Sequence, residues 1–177
     1  EDLQLAYQQL AAGQPARLPA KTSSYQAWAA RLQQHVPAVL DQLPYWLAQH
    51  QDIAELPCDH PHGALTNQLQ RKVEARLSRE ATRQLLQVAP AAYRTQVNDL
   101  LLTALARLLQ RWTAQPGCLI QLEGHGREDL GDDLDLTRSV GWFTSLFPVR
   151  LQATADWPGS IKAVKEQLRR APGKSLG

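Results

Sequence analysis

Residues 97–112 are apolar on nearly every side of a helical wheel, and shortly afterwards residues 118–123 switch to strict alternation. A helix of that kind is expected to be a core helix buried on several sides. The alternation puts Cys118, Ile120 and Leu122 on one face of a short strand and Leu119, Gln121 and Glu123 on the other. A core helix feeding a strand, within a chain that mixes helices and strands without strict βαβ order, reads as a layered α/β fold. Glu123 then falls at a strand end, a common place for working residues in such layers.

The rest of the chain fills in around that pair. Leu3, Ala6, Tyr7 and Leu10 have helical spacing, and Gly13 and Pro15 stop them. Residues 14–22 read as a loop. Ser23 is positioned to cap a helix with Tyr25, Trp28, Ala29 and Leu32 on one face. Pro37 suits the first turn of a further helix that carries Val39, Leu40, Leu43, Trp46 and Leu47, with a kink or restart at Pro44. Residues 56–66 read as a linker. Residues 68–77 alternate apart from Arg71, the pattern of a half-buried strand, and Ser78 caps a helix to about residue 88. An acidic loop over 129–135 precedes a strand over 142–151, with Pro148 at an edge or bulge. Ser160 begins an amphipathic helix with Ile161, Val164 and Leu168 inward.

A chain of 177 residues suggests one domain with a real core. Its 44% hydrophobic and 20% charged content favours neither disorder nor a membrane span, and no apolar run reaches the roughly 20 residues that spanning needs. Without a signal-peptide pattern, two distant cysteines point to reduced thiols in a cytoplasmic protein. A net charge of +2 is too small to imply nucleic acid.

The chemistry concentrates in Glu123-Gly124-His125-Gly126-Arg127-Glu128. Gly124 and Gly126 free the backbone, so that carboxylates, an imidazole and a guanidinium can converge. Glu123 is open to two roles, an acid/base group or a loop carboxylate paired with Arg127 or a backbone amide. Arg127 is read as orienting the loop or its acids, or as touching substrate directly; His125 and Glu128 are read as structural partners. The run lacks the G-x-G-x-x-G spacing of a dinucleotide loop. Of Trp142 and Phe143, at least one is expected in the core, and alternation lets only one face a given side. Asn98 and Asp99 are expected to start and cap the long helix. Cys58-Asp59-His60-Pro61-His62 holds metal-ligating types, but one cluster interrupted by proline does not supply the converging segments zinc requires, and a solvated linker is expected. No nucleophile-elbow arrangement of Ser, His and Asp is present.

The Glu-Gly-His-Gly-Arg-Glu run at 123–128 and Arg-Ser-Val-Gly-Trp-Phe-Thr-Ser-Leu-Phe-Pro-Val-Arg-Leu at 138–151 resemble motifs of the epimerization domains of non-ribosomal peptide synthetases, a branch of the condensation-domain superfamily. Asn-Asp-Leu-Leu-Leu-Thr-Ala-Leu at 98–105 and Val-Lys-Glu-Gln-Leu-Arg at 164–169 resemble further motifs in the same order. Ser-Tyr-Gln-Ala-Trp-Ala at 24–29 and Tyr-Trp-Leu at 45–47 extend the likeness over nearly the whole chain.

The resemblance implies the two-lobed fold of the CoA-dependent acyltransferases, chloramphenicol acetyltransferase-like. Residues 1–62 would form the tail of the N-terminal lobe and an inter-lobe linker, and residues 63–177 most of the C-terminal lobe. It implies an isomerase activity that inverts the Cα of an aminoacyl or peptidyl thioester, in antibiotic or siderophore biosynthesis. The substrate would hang from the phosphopantetheine arm of a peptidyl carrier protein, so the domain would need no cofactor or metal of its own; adjacent synthetase domains are further partners, and neither nucleic acid nor membrane is. Glu123 matches the family's acid/base carboxylate, with His125, Arg127, Gly124 and Gly126 supporting it. Trp142, Thr144 and Ser145 are candidates to line the substrate or the arm. The basic face of the last helix, with Arg169, Arg170 and Lys174, is a candidate carrier contact, as are Tyr93, Arg94 and Arg76. The family's His-His-x-x-x-Asp-Gly motif and its Asn-Tyr motif do not occur in this chain. Its ends are therefore expected to be cut, and the 177 residues alone are expected to be inactive. The alternatives are a peptide-bond-forming condensation domain of the same fold and a non-catalytic carrier-docking module.

Overall fold

A computed structural model describes residues 1–51, 53, 55–64, 66–130 and 134–175. Gly131, Asp132 and Asp133 of the expected acidic loop lie outside the described residues, as do Leu176, Gly177 and the Lys174 side chain. The elements run α1 (Asp2–Ala11), α2 (Tyr25–Val39), α3 (Leu43–Gln49), α4 (Arg79–Arg83), α5 (Ala89–Tyr93), α6 (Val97–Thr113), β1 (Cys118–Gly124), β2 (Ser145–Leu151) and α7 (Trp157–Arg170). Side-chain caps set several of the helix starts. Ser24 Oγ accepts the Ala27 N–H, Ser78 Oγ the Ala81 N–H and an Asp156 carboxylate oxygen the Gly159 N–H. At α6, Gln96 and Asp99 form a reciprocal capping box.

β1 and β2 pair antiparallel from Cys118↔Leu151 to Gly124↔Ser145. Residues directly opposite share a face, so Cys118, Ile120 and Leu122 stand with Leu151, Val149 and Phe147. That face packs on Leu102 and Ala106 of α6 and Val164 of α7, the main core. A second cluster joins Trp28 of α2 to Leu136 and Phe143. The outer edge of β2 is covered by side chains: the amide Oε1 of Gln49 accepts the Arg150 N–H at 3.0 Å, and Gln167 bonds both the N–H and the carbonyl of Gln152.

Several expectations are corrected. Asn67–Leu69 form a 3-10 turn, residues 70–77 take no regular structure and pair with no strand among the described residues, and Val73 is 94% exposed; alternation marks a strand only where a neighbouring backbone completes the ladder. α6 buries Leu100, Leu102, Thr103 and Ala106 but leaves Leu101, Leu105, Leu108 and Trp112 exposed, because the sheet and α7 cover one side of it. Ser24, not Ser23, caps α2, and that helix runs through Pro37, which falls in its last turn. Pro44 opens α3 in its first turn. The helix from Ser78 continues past residue 88 through a widened π-helical turn at Gln84–Val88, just before Pro90, which has no N–H to give to the preceding turn. Gln96, not Asn98, is the N-cap of α6. α7 begins earlier than Ser160, at Trp157, because Asp156 caps it and Pro158 fits its first turn. The second strand starts at Ser145 rather than 142; of the two places expected for Pro148 it takes the edge strand, opposite Gln121, with no bulge in the register.

Candidate functional site

β1 ends at Gly124, which delivers Glu123 and the following turn to the wall of a cleft of about 690 Å³. The same cleft is lined by Arg94, Thr95, Gln96, Asn98 and Asp99 before and at the start of α6, by His125 and Glu128, and by Arg169 near the end of α7. The floor is apolar, with Leu122, Phe147 and Leu168 continuing the main core to the surface.

Within the Glu123–Glu128 turn the residues divide by how they are engaged. Gly126 has φ +67, and a Cβ there would collide with the Phe143 carbonyl oxygen. Only glycine allows the turn to lie against the chain ahead of β2. Arg127 crosses the same residue from the other side. Its guanidinium stacks over the Phe143 ring, 3.8 Å from Cζ to the centroid, and donates to the carbonyls of Leu136 and Ser139. His125 Nδ1 accepts the Arg127 N–H at 3.0 Å, which leaves Nε2 as the protonated nitrogen, 3.5 Å from a Glu128 carboxylate oxygen. Nδ1 is thus occupied in closing the turn, and Nε2 faces Glu128. Glu123 differs: among the described residues no hydrogen bond or ion pair engages its carboxylate.

The segment that Arg127 grips is also stitched to the start of the chain. Ser23 and Asp135 exchange backbone and hydroxyl hydrogen bonds, and Ser139 Oγ donates to the Ser23 carbonyl. Arg138 forks onto both oxygens of Asp2 at 2.7 and 2.8 Å. Two hydrogen bonds from Thr137 hold the Asp135 carboxyl below its usual range. Tyr25 sits edge-on to Phe143 with 5.0 Å between centroids, and its hydroxyl donates to the Trp142 carbonyl.

Of the residues singled out from the sequence, Glu123, Gly124 and His125 line the cleft, while Gly126 and Arg127 hold the turn behind it. Trp142, Thr144 and Ser145 are not on the cleft. Trp142 is 81% exposed, Thr144 is exposed, and Ser145 Oγ is buried without a hydrogen-bond partner. Phe143 is the aromatic that enters the core. Glu123 itself is exposed, where seclusion was expected for an acid/base carboxylate, because none of the described residues roofs this side of the cleft. Thr95 and Gln96 had received no role from the sequence, and Arg94 only that of a candidate carrier contact. Their shared signal was position, immediately before a long capped helix. Cys58, His60 and His62 are all exposed, and among the described residues no three His, Cys, Asp or Glu side chains converge as a metal site. No helix among them is long and apolar enough to cross a membrane.

The model of the condensation domain matches residues 1–177, the whole chain. The chain belongs to the condensation-domain family. It is 48% identical over 183 residues to a linear gramicidin synthase subunit of Brevibacillus parabrevis, covering all of this chain and 4% of that protein. The crystal structure of the epimerization domain from the third module of tyrocidine synthetase B is 39% identical with a TM-score of 0.84, over 98% of this chain and 40% of that one. The X-domain from teicoplanin biosynthesis, solved in complex with OxyB, is 27% identical with a TM-score of 0.66, over 95% of this chain and 38% of that one. The fold of this condensation-family chain is accordingly that of the CoA-acyltransferase-like domains, of which its residues span a part.

Proposed function

We propose that this condensation-family chain is part of an epimerization domain of a non-ribosomal peptide synthetase, and that Glu123 moves the proton. The reaction inverts the Cα of an aminoacyl or peptidyl thioester borne on the phosphopantetheine arm of a carrier domain. The carrying observation is the division of labour in the turn. His125, Gly126, Arg127 and Glu128 are consumed in holding it against Phe143, while the Glu123 carboxylate stays unengaged on the wall of the cleft. The 39% identity to a solved epimerization domain supports the same branch.

A carboxylate removes an α proton effectively only once water is excluded, since desolvation raises its basicity. In this reading the arm and its thioester, filling the cleft, supply that exclusion. The division of the chain near residue 62 into the tail of one lobe and most of another belongs to the same proposal, as do the carrier and neighbouring synthetase domains as partners.

The test is solvent deuterium exchange at Cα of a carrier-bound aminoacyl thioester, in the complete domain that carries this chain. Glu123→Gln is expected to lower exchange by at least about 100-fold with folding retained. Undiminished exchange would remove Glu123 from the mechanism. The family match itself favours peptide-bond formation as the second reading; condensation product without Cα exchange would establish it. A non-catalytic docking module would bind a carrier and do neither.

A further inference from the structure

Taking a proton from the Cα of a thioester drives the C–H electron pair into a new C=C bond and puts a negative charge on the former carbonyl oxygen. That oxygen has to be met by preorganised hydrogen-bond donors or positive charge. Among the described residues two arginines line the cleft, Arg94 and Arg169, and Arg94 also borders a smaller pocket beside α7. Arg169 lies 3.5 Å from Glu166 on its own helix. Arg94 makes no hydrogen bond or ion pair with any described residue. Its backbone is left-handed, φ 51 and ψ 48, at the C-cap of α5, a position where glycine is the less strained choice. A long cation is thus held at a strained position, on the same cleft as Glu123.

Two neighbouring features add a hydrogen-bond donor and a helix dipole there, beside the carboxylates of Asp99 and Glu128. The Thr95 hydroxyl, also on the cleft, is buried with no hydrogen-bond partner. α6 starts at Val97, and Gln96, Asn98 and Asp99 bring its N-terminal end to the same lining, where the helix dipole favours negative charge. Building on the epimerization reading, we propose that Arg94 holds the thioester carbonyl oxygen as it becomes an enolate, with Thr95 as a second donor. Glu123 takes the Cα proton, the enolate oxygen rests against the Arg94 guanidinium, and reprotonation at Cα restores the carbonyl. No electrons are gained or lost. In heavy water the hydrogen delivered to the opposite face of Cα is deuterium drawn from solvent, and the proton held by Glu123 is lost to solvent.

The left-handed backbone makes Arg94→Gly a clean probe, because glycine relieves strain at this φ and the fold is expected to keep or gain thermal stability. In the complete domain with a carrier-bound aminoacyl thioester, R94G is expected to lower kcat for Cα exchange roughly 100-fold with KM little changed. Added methylguanidinium should restore part of that loss, and R94K should retain part of the rate, since it keeps charge without the planar fork. The same loss is expected with a pantetheine thioester that lacks the phosphate. Full exchange in R94G, or a loss confined to phosphate-bearing substrate, overturns the assignment. If E123Q loses exchange while R94G does not, Arg94 alone is discarded; if the unmodified domain shows no exchange, the epimerization reading falls with it.

Discussion

At Gly126 two constraints meet, a positive φ and a backbone contact with Phe143 that leaves no room for a methyl group. Gly126→Ala must therefore either push the turn off Phe143 or accept a strained backbone. Loss of the contact would also unseat the Arg127 stack and its two carbonyl hydrogen bonds. A destabilisation of at least about 2 kcal/mol is expected in urea unfolding, more than an exposed glycine substitution would give. An unchanged midpoint would show that the turn does not bear on Phe143. This arrangement was only partly legible in the sequence. The two glycines announced an unusual backbone, and alternation through Cys118, Ile120 and Leu122 put Glu123 at a strand end. Nothing in the spacing paired Arg127 with Phe143, because that contact depends on how two strand-end loops meet across the sheet.

Elements were readable where their caps are local and less so where a distant partner decides. Ser78 is the cap that its place in the sequence suggested. β1 keeps the predicted faces because both sides of the alternation have defined surroundings, α6 and α7 on one and open surface on the other. The start of α7 was missed because its cap is Asp156, with Trp157 and Pro158 in the first turn, whereas the apolar stripe begins only at Ile161. The consequence is testable. Asp156→Ala removes the acceptor for the Gly159 N–H at 2.6 Å, while the Arg107 bonds to the backbone carbonyls of Thr154, Ala155 and Asp156 remain. A loss of about 1 kcal/mol is expected, the size of a single N-cap. A much larger loss would mean that the carboxylate also organises the Arg107 cluster around Ser160. Residues 68–77 are the contrary case: an alternation broken only at Arg71, whose apolar side, with Val73 and Leu77, faces no other strand among the described residues.

For the molecule as a whole, the accessible surface is 13699 Å², whereas a compact monomer of 19.7 kDa exposes only about 8600 Å². Many large apolar side chains stand in that surface, and they are patterned. Leu3, Tyr7 and Leu10 line one stripe of α1 at 85, 72 and 62% exposure, and Val36, Leu40, Leu43 and Leu47 continue a second stripe from α2 into α3. Amphipathic helices pattern such stripes for burial, and contiguous apolar surface of this extent marks contact with other protein. The match to a solved domain of which this chain spans 40% supplies a natural source of cover. The 177 residues in isolation are therefore expected to associate with rising concentration and to bind a hydrophobic dye. The triple substitution Leu3→Glu, Tyr7→Glu and Leu10→Glu should weaken that association without loss of helix content, because these side chains contribute little to either core cluster. In the complete domain the same triple substitution should instead be destabilising, since it would place charges against whatever covers α1. Sedimentation velocity on the isolated chain and urea unfolding of the complete domain measure the two halves of the expectation. A monomeric isolated chain that ignores the dye would show that these stripes stand in water by design.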